Sequence, residues 1–212
     1  MFLFTVFELS GIVAFALSGA LLGMKKGLDF FGVIMLSVTT ALGGGIVRDI
    51  IIGNTPPVSF QKPIYFVISA ISAVVVLILY EKLYRLQNII VIVDAIGLGV
   101  FTAIGANIAV QHGIEAPFIV VSLAMTTGIG GSIIRDVFVK EVPYVFRKEV
   151  YAVASIIGGI IFVNARHFFD GNMPLYLSAA VTIIIRLIAI YLHIDLPNFH
   201  KDLGAEKEYE NA

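Results

Sequence analysis

Seven stretches of the chain are almost wholly apolar over a length suited to crossing a bilayer: residues 2–23, 30–52, 63–80, 89–110, 116–139, 150–165 and 174–193. Short charged or proline-bearing breaks separate them, among them Lys25-Lys26, Thr55-Pro56-Pro57 and Glu81-Lys82. A hydrocarbon core of about 30 Å asks for roughly 20 helical residues, so each stretch is predicted to be a membrane-spanning helix. Strands of a membrane barrel would alternate apolar and polar positions, and the run from Ile64 to Tyr80 shows no such alternation. The first stretch has the length of a secretory signal. No basic residue precedes it, however, and it matches the fourth stretch, so it is expected to be retained.

That match is part of an internal repeat. The segment TTALGGGIVRD, from Thr39 to Asp49, returns 87 residues later as TTGIGGSIIRD, from Thr126 to Asp136. Upstream, at an offset of 86, Gly11, Phe15, Gly19, Ala20 and Gly27 align with Gly97, Phe101, Gly105, Ala106 and Gly113, and acidic Glu8 falls opposite acidic Asp94. One inserted residue near Pro117 joins the two registers, and downstream Pro56 is aligned with Pro143. Each half holds three spans. Because three is odd, the second half is expected to enter the membrane upside down, giving inverted repeats related by a pseudo-two-fold axis in the membrane plane. The expected architecture is all-α, with seven transmembrane helices: a first repeat over residues 1–88, an inverted second repeat over 89–167, an extra helix over 168–194 and a polar tail over 195–212.

Composition agrees with the pattern. Hydrophobic residues make up 58% and charged residues 14%, with a mean hydropathy of +0.97, against about 45–50% and about 25% in soluble domains. Most of the surface is expected to face lipid. With no Cys and four His that show no HExxH pairing, neither a metal site nor a cofactor is expected, and a net charge of −1 carries no nucleic-acid signature. Position matters more than the sum. Counting alternate sides, one carries Lys25, Lys26, Lys82, Arg85, Lys140, Arg147, Lys148, Lys201 and Lys207, and the other only Lys62 and Arg166. Basic residues gather on the cytoplasmic side, so the N-terminus is expected outside and the C-terminus in the cytoplasm of an inner (plasma) membrane.

Two features carry candidate chemistry. Gly43-Gly44-Gly45, and Gly130-Gly131 followed by Ser132, lie inside spans, where each Gly costs about 0.8–1 kcal/mol relative to Ala. One reading is a kink or local unwinding that turns backbone carbonyls toward a watery path, with Thr39, Thr40, Thr126 and Thr127 adding hydroxyl ligands for a cation. The other is close helix packing, which Gly11, Gly19, Gly97 and Gly105 would serve equally. The second feature is charge inside apolar surroundings. Arg48 and Arg135 need partners at membrane depth. Glu8 is expected to pair with Arg48 and Asp94 with Arg135, while Asp49 and Asp136 compete for the same guanidinium groups. Arg186 has no acidic neighbour on its own helix and is expected to find a partner on another helix or another subunit.

The duplicated motifs TTALGGGIVRD and TTGIGGSIIRD, in two three-span halves with one added span, resemble the trimeric intracellular cation (TRIC) channel family in its short prokaryotic branch, over about residues 5–193. The resemblance implies a homotrimer in which each subunit has its own path for monovalent cations, chiefly potassium. It maps the kinks of spans two and five onto Gly43, Gly44, Gly45, Gly130 and Gly131, with Ser132 departing from a second full triplet. A secondary transporter of a small solute such as glycine is the alternative, since inverted repeats with broken helices suit both. No constellation of nucleophile, general base and metal is visible, so no enzyme is expected.

Overall fold

The computed structural model describes residues 2–84, 88–147 and 150–192. Its helices are α1 (Phe2–Lys25), α2 (Phe30–Ile51), α3 (Val58–Gln61), α4 (Ile64–Tyr84), α5 (Ile89–Gln111), α6 (Pro117–Phe138), α7 (Tyr144–Arg147), α8 (Val150–Ala165) and α9 (Met173–Tyr191). Among the described residues six of these are long and apolar enough to span a bilayer. Of the seven expected spans, α8 falls short: its 16 residues rise only about 24 Å at about 1.5 Å per residue. The expected tail over 195–212 lies outside the described residues.

The helix ends follow from local chemistry. Asp29 caps α2, its carboxylate accepting from Gly32 N at 2.7 Å. Helices α1 and α5 both end at a glycine in the left-handed region, Gly27 at φ 70° and Gly113 at φ 76°. There the turn closes through Leu28 N to Gly23 O and through Ile114 N to Ala109 O. Helix α2 ends the same way at Gly53, whereas the matching position after α6 is Lys140 at φ 58°. The turn holds despite the side chain because Glu141 N bonds Asp136 O at 2.9 Å, as Asn54 N bonds Asp49 O at 2.8 Å.

Helices α1 and α5 form the centre. Helix α1 packs on α2, α4 and α5, while α5 packs on α1, α6, α8 and α9; α2 crosses α6, and α9 leans on α5 and α8. Matching residues of the two halves meet at this centre. Phe15 stacks on its counterpart Phe101 with centroids 5.2 Å apart. The interior sets small and hydroxyl residues among apolar side chains such as Ile12, Leu98 and Ile104: Ser18, Ser37, Thr40, Ser69, Thr102, Thr127, Ser155, Ser178 and Thr182 are all fully buried. Their hydroxyls bond helix carbonyls or one another, as Ser37 does to Ala16 O and Ser69 O and Thr102 does to Ser155. Other apolar side chains point outward. Ile64, Val67, Ile71 and Ile78 of α4 and Phe30, Phe31 and Met35 of α2 are exposed, the arrangement expected where hydrocarbon is the solvent.

Candidate functional site

The duplicated motif lies where α2 crosses α6, and the two helices approach through their glycines. A Cβ on Gly44 would stand 2.2 Å from Thr127 O, and one on Gly131 would stand 2.1 Å from Thr40 O. Gly43 faces Ile134, and Gly130 faces the Gly44 backbone. The Gly44 and Gly131 contacts are reciprocal: each glycine meets the carbonyl of the other half's matching threonine. Both helices are α-helical from end to end, so the expected local unwinding is absent. The backbone carbonyls stay in their ladders because close approach, not chain breakage, is what the absent Cβ atoms permit. Thr40 and Thr127 bond Leu36 O and Leu123 O one turn back and are buried against Gly19 and Gly105. Thr39 likewise bonds Met35 O. Thr39, Gly45, Thr126 and Gly130 are half-buried, and Ser132 is buried, bonding Ile129 O.

Charged clusters flank this crossing. In the second half the Arg135 guanidinium bonds Asp136 Oδ1 through Nε at 2.8 Å, and through Nη1 it reaches both Asp94 Oδ1 and Ser18 Oγ. Ser18 in turn donates to Asp94. Arg135, Asp94 and Asp136 are each 4% exposed, so the expected pair of Asp94 with Arg135 exists as part of a sealed network. The first half differs. Arg48 bonds Asp49 Oδ1 through both Nε and Nη2, at 2.9 and 2.8 Å. Glu8 accepts instead from the Tyr65 hydroxyl at 2.6 Å, with Lys62 Nζ 3.9 Å away. The expected Glu8–Arg48 pair is therefore corrected: the adjacent carboxylate occupies the side-on edge of the guanidinium, and a tyrosine and a lysine hold Glu8.

Asp49 and Asp136 have a second task. Their Oδ2 atoms accept from Val58 N at 2.8 Å and Tyr144 N at 2.7 Å, which ties the loop after each span to its arginine. Val58 and Tyr144 each follow a proline, so Pro57, not Pro56, is the counterpart of Pro143. The first loop is one residue longer, and the register returns to 86. On that register Tyr65 matches Tyr151, a correspondence that stays hidden in the sequence while the offset of 87 is kept downstream.

Arg186 is 2% exposed, and its Nε and Nη2 have no hydrogen-bond partner among the described residues. Its guanidinium carbon lies 4.7 Å from the Tyr151 ring centre and 5.2 Å from that of Tyr144. The partners expected on other helices are thus aromatic faces. In the first half Lys62 Nζ donates to the Tyr65 hydroxyl at 2.9 Å and lies 5.3 Å from that ring's centre. Around Glu8, Gly45, Arg48, Asp49, Ser59 and Tyr65 there is a pocket, and the buried Ser59 hydroxyl has no hydrogen-bond partner among the described residues.

Comparison with known proteins gives this geometry its relatives. The family model described as Glycine transporter matches the chain twice, at residues 5–81 and 91–167. The UPF0126 inner membrane protein YadS of Escherichia coli (strain K12) is 39% identical over 201 residues, covering 92% of this chain and 95% of that one. A crystal structure of a prokaryotic TRIC channel in 0.5 M KCl superposes with a TM-score of 0.86 at 35% identity, over 92% of this chain and all of the other. The TRIC trimeric intracellular cation channel orthologue from Rhodobacter sphaeroides also gives 0.86, at 27% identity and the same coverage. The chain is a multi-pass membrane protein that belongs to the glycine transporter family and has the fold of the prokaryotic TRIC channels.

Proposed function

We propose that the protein is a passive channel for monovalent cations, chiefly potassium, with one path in each subunit of a homotrimer in the inner membrane. The observation that carries this reading is the likeness over 92% of the chain to solved channels described as conducting cations. The interior supports it, because buried hydroxyls and carboxylates of α1, α2, α5 and α6, Ser18, Thr40, Asp49, Asp94, Thr127 and Asp136 among them, lie beside the apolar core. On this reading the path follows the two sides of the α2–α6 crossing, past half-buried Thr39, Gly45, Thr126 and Gly130. The halves, at residues 1–88 and 89–167, are inverted repeats, with the seventh helix added over 168–194. Two links support the inversion. Glu8 near the start of α1 meets Lys62 after α3, and Lys26 after α1 pairs with Glu141 after α6; alternate loops thus gather at opposite ends. The N-terminus is outside and the C-terminal tail cytoplasmic.

The test is potassium flux in proteoliposomes. A channel carries current down a potassium gradient without saturating solute and with little chloride current; absence of current from well-assembled protein refutes it. A second reading, secondary transport of glycine, is favoured by the family description. It calls for saturable glycine uptake coupled to an ion gradient.

A further inference from the structure

The two halves hold matching polar residues in two different arrangements. On the register of 86, Glu8 matches Asp94, Lys62 matches Lys148 and Tyr65 matches Tyr151; on that of 87, Arg48 matches Arg135. In the first half the acid is on the tyrosine: Glu8 accepts from Tyr65 at 2.6 Å and makes no ion pair with Arg48. In the second half the acid is on the arginine, since Asp94 bonds Arg135. The fully buried Tyr151 hydroxyl is left there without a hydrogen-bond partner among the described residues, although Asp94 is near enough to act on it electrostatically. An orphaned buried hydroxyl calls for an explanation. The first half supplies one, because there the matching hydroxyl is the seat of the acid. Neither arrangement strands an arginine. Arg48 and Arg135 each keep a permanent partner, Asp49 or Asp136, whose far oxygen is fixed by the amide of Val58 or Tyr144. In the first half Glu8, Arg48 and Tyr65 line one pocket, so the way between the two seats is open. One sequence difference explains which seat is taken. Ser18 donates to Asp94 and accepts from Arg135, latching acid to arginine, whereas its match in the first half, Ile104, borders the pocket with no bond to give.

We infer that each of these acids is a two-seat gate, released on the tyrosine and locked on the arginine, so that the end at Glu8 stands released here and the end at Asp94 stands locked. On the arginine the acid ties a crossing helix to a central one, α2 to α1 or α6 to α5. On the tyrosine it ties the central helix to α4 or α8 instead and leaves the crossing helix free to move. The exchange keeps a donor on the carboxylate and a partner on the guanidinium at both seats, which makes the two positions discrete. A bistable element of this kind is what a gate requires, and in inverted repeats each half displays the state that the other lacks. The inference rests on the proposed path beside the α2–α6 crossing, and not on whether a cation or a solute takes it.

The chain contains no Cys, so a single thiol can report on each end from matched positions, by Gly45→Cys at the first and Ser132→Cys at the second. Gly45 is half-buried and Ser132 is 1% exposed. The test is the rate at which a small cationic methanethiosulfonate modifies each thiol in the full-length protein in nanodiscs, with all variants compared at wild-type elution on size exclusion. Position 45 is expected to react at least ten-fold faster than position 132. Tyr65→Phe removes the first seat, sends Glu8 to Arg48 and is expected to slow position 45 ten-fold or more, and adding Glu8→Gln is expected to return the faster rate. A hydrogen bond that only held the fold together would, once lost, speed modification. An unchanged or faster rate in Tyr65→Phe therefore overturns the inference, as does a slow rate that survives Glu8→Gln. The second end is an independent check. Ser18→Ala unlatches Asp94 and is expected to quicken position 132 at least ten-fold, and Tyr151→Phe, which removes the seat that Asp94 moves to, is expected to cancel the gain. No gain, or a gain that Tyr151→Phe leaves in place, overturns the inference too. Flux is not read in these measurements, so a failed channel reading leaves the expected rates standing, while unchanged rates refute the gate and leave the channel reading intact.

Discussion

At the scale of single residues, the glycines and the arginines divide differently from how their spacing in the sequence suggests. Gly44 and Gly131 each face a backbone carbonyl, which cannot move aside as a side chain can. Gly44→Ala and Gly131→Ala should therefore cost stability toward the upper end of the about 1–3 kcal/mol typical of overpacking, read as a lower melting temperature by fluorescence-detected size exclusion. Gly45→Ala should instead gain up to about 1 kcal/mol from helix propensity. Equal effects at positions 44 and 45 would contradict a crossing in which Gly44 packs on α6 and Gly45 does not. For the arginines, Arg48→Ala leaves the Asp49 carboxylate buried without its cation, a loss of about 3–5 kcal/mol. Asp49→Asn should restore much of that stability, and Glu8→Gln should restore none, since Tyr65 and Lys62 hold Glu8. Recovery through Glu8→Gln would return Glu8 to the role of partner for Arg48. Arg135→Ala should need changes at both Asp94 and Asp136, because Arg135 serves both.

At the scale of elements, the long helices are readable in the sequence and their contacts are not. An apolar run of about 20 residues has one stable form in lipid, so the ends expected for α1, α2, α4, α5, α6, α8 and α9 lie within four residues of those observed. The short α3 and α7 are four residues each, too short to register in a reading by hydropathy. The choice of Asp49 over Glu8 by Arg48 depends on side-chain directions that the order of charges along the chain does not contain. The roles of the glycines depend on which face meets α6, and two apolar faces of one helix look alike in sequence. Arg186 shows the same limit: its need for a partner is legible, and that the partners are the rings of Tyr144 and Tyr151 is not. This contact adds to the packing of α9 on α5 and α8. Each desolvated cation–π contact contributes on the order of 2 kcal/mol, while each buried N–H left unpaired costs about 1–3 kcal/mol, so the terms nearly cancel. Arg186→Met should thus change stability by less than about 1 kcal/mol. Tyr151→Ala, which empties a fully buried ring position, should cost about 3–5 kcal/mol. A loss at Arg186 as large as that at Tyr151 would mean that the guanidinium has an anionic partner on a neighbouring subunit.

At the scale of the whole molecule, the remaining question is which end faces the cytoplasm, and charge decides it more strongly than any contact. Two ends are distinguishable by their links: Lys62 near Glu8 marks one, and the ion pair of Lys26 with Glu141 marks the other. With seven spanning helices, as proposed above, the loops alternate, so every loop follows once one is fixed. On the proposed alternation the sequence assigns Lys25, Lys26, Lys82, Arg85, Lys140, Arg147, Lys148, Lys201 and Lys207 to the second side, against Lys62 and Arg166 on the first. Anionic lipid of the cytoplasmic leaflet attracts each basic residue near its surface by about 1 kcal/mol, and the bias of nine to two leaves the opposite insertion at a large disadvantage. The last prediction is therefore about insertion. Reporter fusions after Lys26, Lys140 and the C-terminus should report cytoplasm, and a fusion between Asn54 and Lys62 should report the outer side. Removing the charge of Lys25, Lys26 and Lys82 together should produce a mixed population, because these lie in the first loops to meet the insertion machinery. If the fusion near Lys62 reports cytoplasm along with that after Lys26, then α2 does not cross the membrane. In that case the two halves cannot be inverted copies of each other, and a path assigned to the α2–α6 crossing would have no basis.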